Sequence, residues 1–324
     1  MSQIHNQDVR IYSLSSNRSL ALEIAKYLKV ELDECNVVRF ADGEVNLNLK
    51  DTARGHHCFI VQSTSNPVNE NYMELFIMID ALKRASARTI NIIMPYYGYA
   101  RQDRKAKPRQ PITAKLVADL LTKAGAQKIV VTDIHATQFQ GFFDIPMDDI
   151  SAMPLFYEYF SNLNLENLTC VSPDHGGVVR TSRLAEKMNA PIAIIDKRRP
   201  EPNKAEITAI VGDIEGKDCI IVDDIVDTAG TLVSAINVLK EAGAKDIYMC
   251  ATHAVLSGPA IERLQNAPLK ELVVTNSIPV SQEDRTNYPK VKVLSIAWML
   301  SKLILAVSGH KPVSDVYALY QNNN

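Results

Sequence analysis

CIIVDDIVDTAGT, residues 219–231, sets an apolar, β-branched run against two adjacent acids, then a third acid, small residues and a glycine. A continuous apolar run of this length is the signature of a strand buried on both faces. The segment that follows, Leu232–Ala242, has helical period. Strand, loop and helix in that order make one unit of a parallel α/β sheet. Small residues and glycine at a helix N-terminus leave backbone N–H groups available to a phosphate. Thr228 and Thr231 add hydroxyl donors, around Asp227, Ala229 and Gly230. Asp223 and Asp224, at the tip of the apolar run, can accept hydrogen bonds from vicinal sugar hydroxyls or hold a metal through oxygen. The combination fits a sugar phosphate. The plain alternative is Asp227 as a helix N-cap beside two solvated acids.

The same alternation continues outward in both directions. Runs at 9–14, 57–63, 89–96, 128–133, 168–174, 192–196 and 246–253 read as strands, and Met73–Ala85 and Thr113–Ala124 as helices between them. The fold class is therefore α/β, mainly parallel, with ligands expected at the carboxyl ends of the strands. KAGAQKIVVTDIHA (123–136) aligns without a gap to EAGAKDIYMCATHA (241–254). Each copy reads as a helix stopped at glycine, then a strand, then a histidine at the strand's end. Duplication accounts for this better than convergence, and it divides the 324 residues into two similar domains. The boundaries expected are 1–148 and 149–324, with the last helix packing back on the N-terminal half.

Composition narrows the function. A net charge of −2 provides no positive excess for coating nucleic acid or for a polybasic membrane patch. Only 6% of residues are aromatic, too few for a single-strand stacking platform. The five cysteines are far apart in sequence and form no C-x-x-C pair, which argues against a disulfide framework or structural zinc. The polar N-terminus lacks a signal-peptide core, and the apolar segment 293–307 is interrupted by Lys302. These features predict a soluble protein of a reducing, cytoplasmic compartment.

Six further segments carry chemistry: RFADGE (39–44), PYYGYARQDRK (95–105), DIHA (133–136), QGFFDIP (140–146), SPDHGG (172–177) and DKRRPEPN (196–203). Taken alone, RFADGE is a tight turn, RQDRKAKPR (101–109) a basic loop, and DKRRPEPN an exposed, proline-stiffened loop. The 219–231 stretch resembles the phosphoribosyl-diphosphate motif shared by type I phosphoribosyltransferases and ribose-phosphate pyrophosphokinases. The other six segments, in the same order, resemble class I ribose-phosphate pyrophosphokinase over nearly the whole chain. One departure is Arg180-Thr181-Ser182-Arg183, in place of the small-then-Arg pattern of many bacterial members.

The resemblance implies two phosphoribosyltransferase-like domains and a diphosphokinase acting on ATP and ribose 5-phosphate. It implies ATP contacts at Arg101, Gln102 and Asp103. Phe40, Asp42 and Glu44 match the segment that a neighbouring subunit contributes to the ATP site. It pairs His135 with Asp174 around Mg²⁺, assigns ribose 5-phosphate to Asp223, Asp224 and the loop Asp227–Thr231, and gives Lys197 and Arg199 to the transferring group. Homohexameric assembly, with phosphate and ADP as effectors, is implied as well. A non-catalytic regulatory paralogue and a phosphoribosyltransferase are the alternatives.

Overall fold

All eight apolar runs form strands in the computed structural model, which describes residues 8–198, 207–309, 311–314 and 316, and only the backbone at 197, 198, 207 and 208. The described residues group into two compact units. One comprises the chain through Ile150, Ser277–Pro279 and the residues from Ser295 onward; the other comprises Ser151–Asn276 and Val280–Leu294.

The first unit is built on a parallel sheet of β1 (Val9–Ser13), β4 (His57–Val61), β5 (Thr89–Ile93), β6 (Lys128–Thr132) and β7 (Met147–Ile150), adjacent in that order. Helices α1 (Arg18–Leu28), α2 (Val68–Arg84) and α3 (Thr113–Ala124) follow β1, β4 and β5. Phe59, Ile60 and Val61 are successive residues of one strand and all are fully buried, as a sheet covered on both faces requires. Tyr12, Ile60, Leu75, Ile79, Ile92 and Leu121 pack into a common core. An antiparallel hairpin, β2 (Cys35–Arg39) with β3 (Val45–Leu49), lies outside the main sheet. The C-terminal helix α9 (Ala297–Ser308) packs on α1. Among the described residues no helix is long and apolar enough to cross a membrane.

Among the described residues the second unit has seven strands: β8 (Leu168–Ser172), β9 (Ile192–Arg198), β10 (Ile207–Val211), β11 (Asp218–Val226), β12 (Ile247–Ala254), β13 (Glu271–Thr275) and β14 (Val291–Leu294). Their order is β10-β9-β8-β11-β12-β13-β14, and every pair is parallel except β10 on β9. Helix α4 (Met153–Ser161) precedes β8, and α5 (Val178–Met188), α6 (Gly230–Glu241), α7 (Ala260–Gln265) and α8 (Gln282–Asn287) follow β8, β11, β12 and β13. From β8 the chain runs outward to β9 and β10, then returns to β8's other side as β11. The order therefore reverses between β8 and β11, the kind of position at which open α/β sheets bind ligands, outside the carboxyl ends of the strands.

The repeated segments take similar paths with one difference. Gly125 and Gly243 follow α3 and α6 at positive φ, 128° and 90°, a conformation suited to glycine. His135 then lies beyond the end of β6 and is exposed, whereas His253 lies inside β12 and is 3% exposed. The expected histidine at the strand's end is met by His253, the next-to-last residue of β12, whereas His135 stands three residues past the end of β6. β12 continues to Ala254 because it pairs with β11 as far as Val226, and β6 has no such long neighbour.

Candidate functional site

The switch point of the second unit collects two of the singled-out segments. SPDHGG leaves the end of β8 and leads into α5; the Asp223–Thr231 stretch leaves β11 and leads into α6. Two helix N-termini thus follow the two strands that flank the switch point, an arrangement suited to anions.

Asp223 and Asp224 are not at the strand's tip, as the sequence suggests, but inside β11. On one side β11 pairs with β12 through Val226↔Ala254; on the other its pairing with β8 stops at Ile221↔Val171. The acids therefore begin where β8's pairing has ended, which opens that side for a ligand. Asp224 is buried, and the Asp224 backbone N–H donates to Asp223 Oδ1 at 2.8 Å. Burial first, then the adjoining Asp224 carboxylate, pushes Asp223 up to about 7, opposed by the Arg180 guanidinium.

The N-cap of α6 is Ala229, in the left-handed conformation (φ 57°), not Asp227. The plain N-cap explanation of Asp227 therefore does not hold. Thr228 is exposed, and Arg263 of α7 donates from Nη1 to the Thr228 carbonyl at 2.9 Å, bracing the loop from outside. At the β8 end, Asp174 Oδ1 accepts from the Gly177 N–H at 2.9 Å, and the Ser172 hydroxyl donates to the Asp174 carbonyl at 2.6 Å. His175 Nε2 lies 3.0 Å from Oδ1 of buried Asp196.

Arg180, in the first turn of α5, reaches both acids of β11, with Nη1 3.0 Å from Asp223 Oδ1 and 3.3 Å from Asp224 Oδ1. Sequence reading noted it only as a departure from pattern. The available signal was a cation in the first turn of a helix, where the macrodipole disfavours positive charge. Arg263 carried no local signal.

In the first unit, PYYGYARQ leaves the end of β5 and lines a cavity of about 540 Å³, together with the 66–70 segment. Tyr96, Gly98, Tyr99, Arg101 and Gln102 form one wall; Asn69 and Glu70 belong to the other. Gln102 is held by its neighbours, its Oε1 accepting from the Thr113 hydroxyl at 2.6 Å and its carbonyl from the Ala114 N–H at 3.2 Å. Asp103 accepts weakly from Gln138 at 3.4 Å. Lys105, Lys107 and Arg109 are exposed loop surface.

RFADGE is the β2–β3 turn. The Phe40 N–H donates to the Glu44 carbonyl at 2.9 Å, and Asp42 Oδ1 accepts from the Glu44 N–H at 3.1 Å. Phe40 is 53% exposed, an aromatic ring at a hairpin tip facing solvent. The hairpin is tied down by Arg39, whose guanidinium reaches Glu74 at 2.8 Å and Glu70 at 3.2 Å. Glu74 is wholly buried and also accepts from the Ser15 N–H, the Ser15 hydroxyl and Gln62.

Of the remaining candidates, Lys197 lies on β9 with its backbone paired to Thr208 of β10, and Arg199 lies outside the described residues. His135 belongs to the first unit and Asp174 to the second. Among the described residues no group of three or more His, Cys, Asp or Glu could hold a metal ion by itself. An imidazole and a carboxylate are each, by donor type, suited to an ion that keeps most of its waters or shares substrate phosphates, the habit of Mg²⁺. Cys58, Cys170, Cys219 and Cys250 are buried. Burial pushes the Cys58 and Cys170 thiols up to about 12, so they are packing residues.

Comparison with known proteins agrees with this geometry. Residues 9–125 match the N-terminal domain of ribose phosphate pyrophosphokinase, and residues 167–317 the phosphoribosyl synthetase-associated domain. The chain is 55% identical to ribose-phosphate pyrophosphokinase of Bacillus subtilis (strain 168) over 317 residues, 98% of this chain and 99% of that one. It is 54% identical to the ribose-phosphate pyrophosphokinase of Corynebacterium ammoniagenes over 316 residues, with the same coverage of each chain. The crystal structure of phosphoribosylpyrophosphate synthetase from Mycobacterium smegmatis is similar at a TM-score of 0.89 and 42% identity, covering 94% of this chain and all of that one. Two α/β units, an acid pair at a switch point and full-length identity of this order place the chain in the ribose-phosphate pyrophosphokinase family.

Proposed function

We propose that the protein is a ribose-phosphate diphosphokinase, transferring the β,γ-diphosphoryl group of ATP to the 1-hydroxyl of ribose 5-phosphate. The products are phosphoribosyl diphosphate, for nucleotide biosynthesis, and AMP. The observation that carries this reading is 55% identity to a ribose-phosphate pyrophosphokinase along 98% of the chain. The acid pair at the switch point agrees with it in chemistry.

In this reading Asp223 and Asp224 accept from the ribose hydroxyls. The backbone of Asp227, Thr228, Ala229, Gly230 and Thr231, with the two threonine hydroxyls, takes the 5-phosphate. Arg101, Gln102 and Asp103 bind ATP, joined by Phe40, Asp42 and Glu44 of a neighbouring subunit, so assembly, as a homohexamer, is a condition of activity. The sugar hydroxyl attacks the β-phosphorus in line and AMP leaves. Positioning and charge stabilisation dominate such transfers, and Lys197 and Arg199 supply positive charge to the transferring group. His135 and Asp174 are each suited in donor type to Mg²⁺, which neutralises phosphate charge when bound. Phosphate and ADP act as effectors, and the protein works in the cytoplasm.

The test is direct. Purified protein with ATP, Mg²⁺ and ribose 5-phosphate produces AMP and phosphoribosyl diphosphate in equal amounts, and production stops when ribose 5-phosphate is omitted. Absence of AMP in the complete mixture overturns the assignment.

A further inference from the structure

The sugar loop accounts for Asp223 and Asp224 but not for the cation that spans them. Arg180 is the third residue of α5, inside the turn where free backbone N–H groups already concentrate positive potential. A guanidinium is disfavoured there unless something offsets it. The offset is the acid pair, one oxygen of each carboxylate lying 3.0 and 3.3 Å from the same Nη1. Arg180 is largely covered, with 23% of its side chain exposed, so the contact is a fixed one and not a passing surface pair.

Two carboxylates on consecutive residues repel each other, and burial of Asp224 strengthens that repulsion. Without a counter-charge the pair relieves the repulsion by rotating apart or by sharing a proton. Either response removes an acceptor, because a protonated oxygen donates instead. The Asp223 carboxylate is held from one more direction, since its Oδ1 also accepts from the Asp224 N–H.

We propose that Arg180 is a positioning residue for the sugar: a single guanidinium nitrogen clamps both acids so that ribose hydroxyls meet two carboxyl groups already oriented. The inference rests on the assignment of Asp223 and Asp224 to ribose made above. Arg180 acts through the carboxylates. Its loss therefore weakens recognition of the sugar hydroxyls and leaves ATP recognition, at the end of β5, unaffected.

Arg180→Met keeps the length of the side chain and removes its charge. The expected result is a rise of about 10–100-fold in KM for ribose 5-phosphate, with a smaller change in kcat and less than a twofold change in KM for ATP. Arg180→Lys keeps the charge beside both acids and restores KM to within about fivefold of the parent. 2-Deoxyribose 5-phosphate separates positioning from general damage. The parent's preference for ribose 5-phosphate over this analogue, as a ratio of kcat/KM, falls about tenfold in Arg180→Met if the acids are misplaced. An equal loss with both sugars, a KM for ribose 5-phosphate within twofold of the parent, or a KM in Arg180→Lys as high as in Arg180→Met overturns the proposal. A parent protein that makes no AMP overturns the functional assignment instead. Circular dichroism and Tm of each variant are recorded, and if Arg180→Met does not fold, Arg180→Lys and the analogue ratio decide.

Discussion

Gly98 sits where PYYGYARQ turns away from β5, and replacing it with alanine tests whether that turn is set by close packing. A Cβ at Gly98 would lie 2.5 Å from the Thr64 carbonyl oxygen, 3.0 Å from Val68 Cγ1 and 3.2 Å from Tyr72 Cε2. Ordinary contact begins near 3.4 Å, so the backbone of one segment must move by about 0.9 Å. Neither segment moves easily. The Thr64 N–H and hydroxyl both donate to the Tyr96 carbonyl at 3.0 Å, the Gly98 N–H donates to Thr64 Oγ1 at 2.7 Å, and the Tyr72 hydroxyl donates to the Gly98 carbonyl at 2.7 Å. Overpacking of this kind costs about 1–3 kcal/mol, and one strained or broken hydrogen bond adds about 1 kcal/mol. The sum is about 2–4 kcal/mol, a fall in Tm of roughly 4–16 °C for a unit of this size. Scanning calorimetry measures it, with Gly141→Ala as the comparison, because a Cβ at Gly141 meets nothing within 4 Å. Since Arg101 and Gln102 follow directly, KM for ATP rises as well. A Tm within 2 °C of the parent, with KM for ATP unchanged, refutes the reasoning.

Three other outcomes are expected. In Glu74→Gln, one side of the amide still accepts, but the other sets an NH2 group against donors that the carboxylate oxygen accepts in the parent; Arg39, 41% exposed, relaxes into water. The cost is about 2–3 kcal/mol in urea unfolding, and a loss under about 0.5 kcal/mol contradicts the network. Asp223 is raised from 3.8 to about 7 in the folded protein, so it binds a proton more readily folded than unfolded. Its contribution to stability is therefore full below about pH 4 and is lost as pH rises through 7, so Asp223→Asn should gain on the parent at about pH 8 and not at about pH 4. A gap between the two proteins that is independent of pH rejects this. Lys197→Ala should lower kcat by about 10²–10³-fold while KM for either substrate changes little, and equal losses in kcat and KM argue against action on the transition state.

The sequence alone determined the class of the fold because long β-branched runs such as CFIV (58–61) and CIIV (219–222) fit only a doubly covered sheet. It also singled out the segments proposed to bear the site, since acids, glycines and threonines following such a run have few other uses. Shorter or more polar strands escaped it: β2 and β3 alternate because one face is open, and β14 is four residues with a lysine among them. Tertiary structure alone decided where the acids stand. Asp223 and Asp224 look like a strand's end in sequence but lie within one, because β12 goes on pairing after β8 has stopped. The same applies to Arg180, Glu74 and Arg263, whose partners are 43, 59 and 35 residues away. Periodicity reports which face of an element is buried; it carries no information on which distant charge meets it, and that pairing arises only when the sheet order is formed.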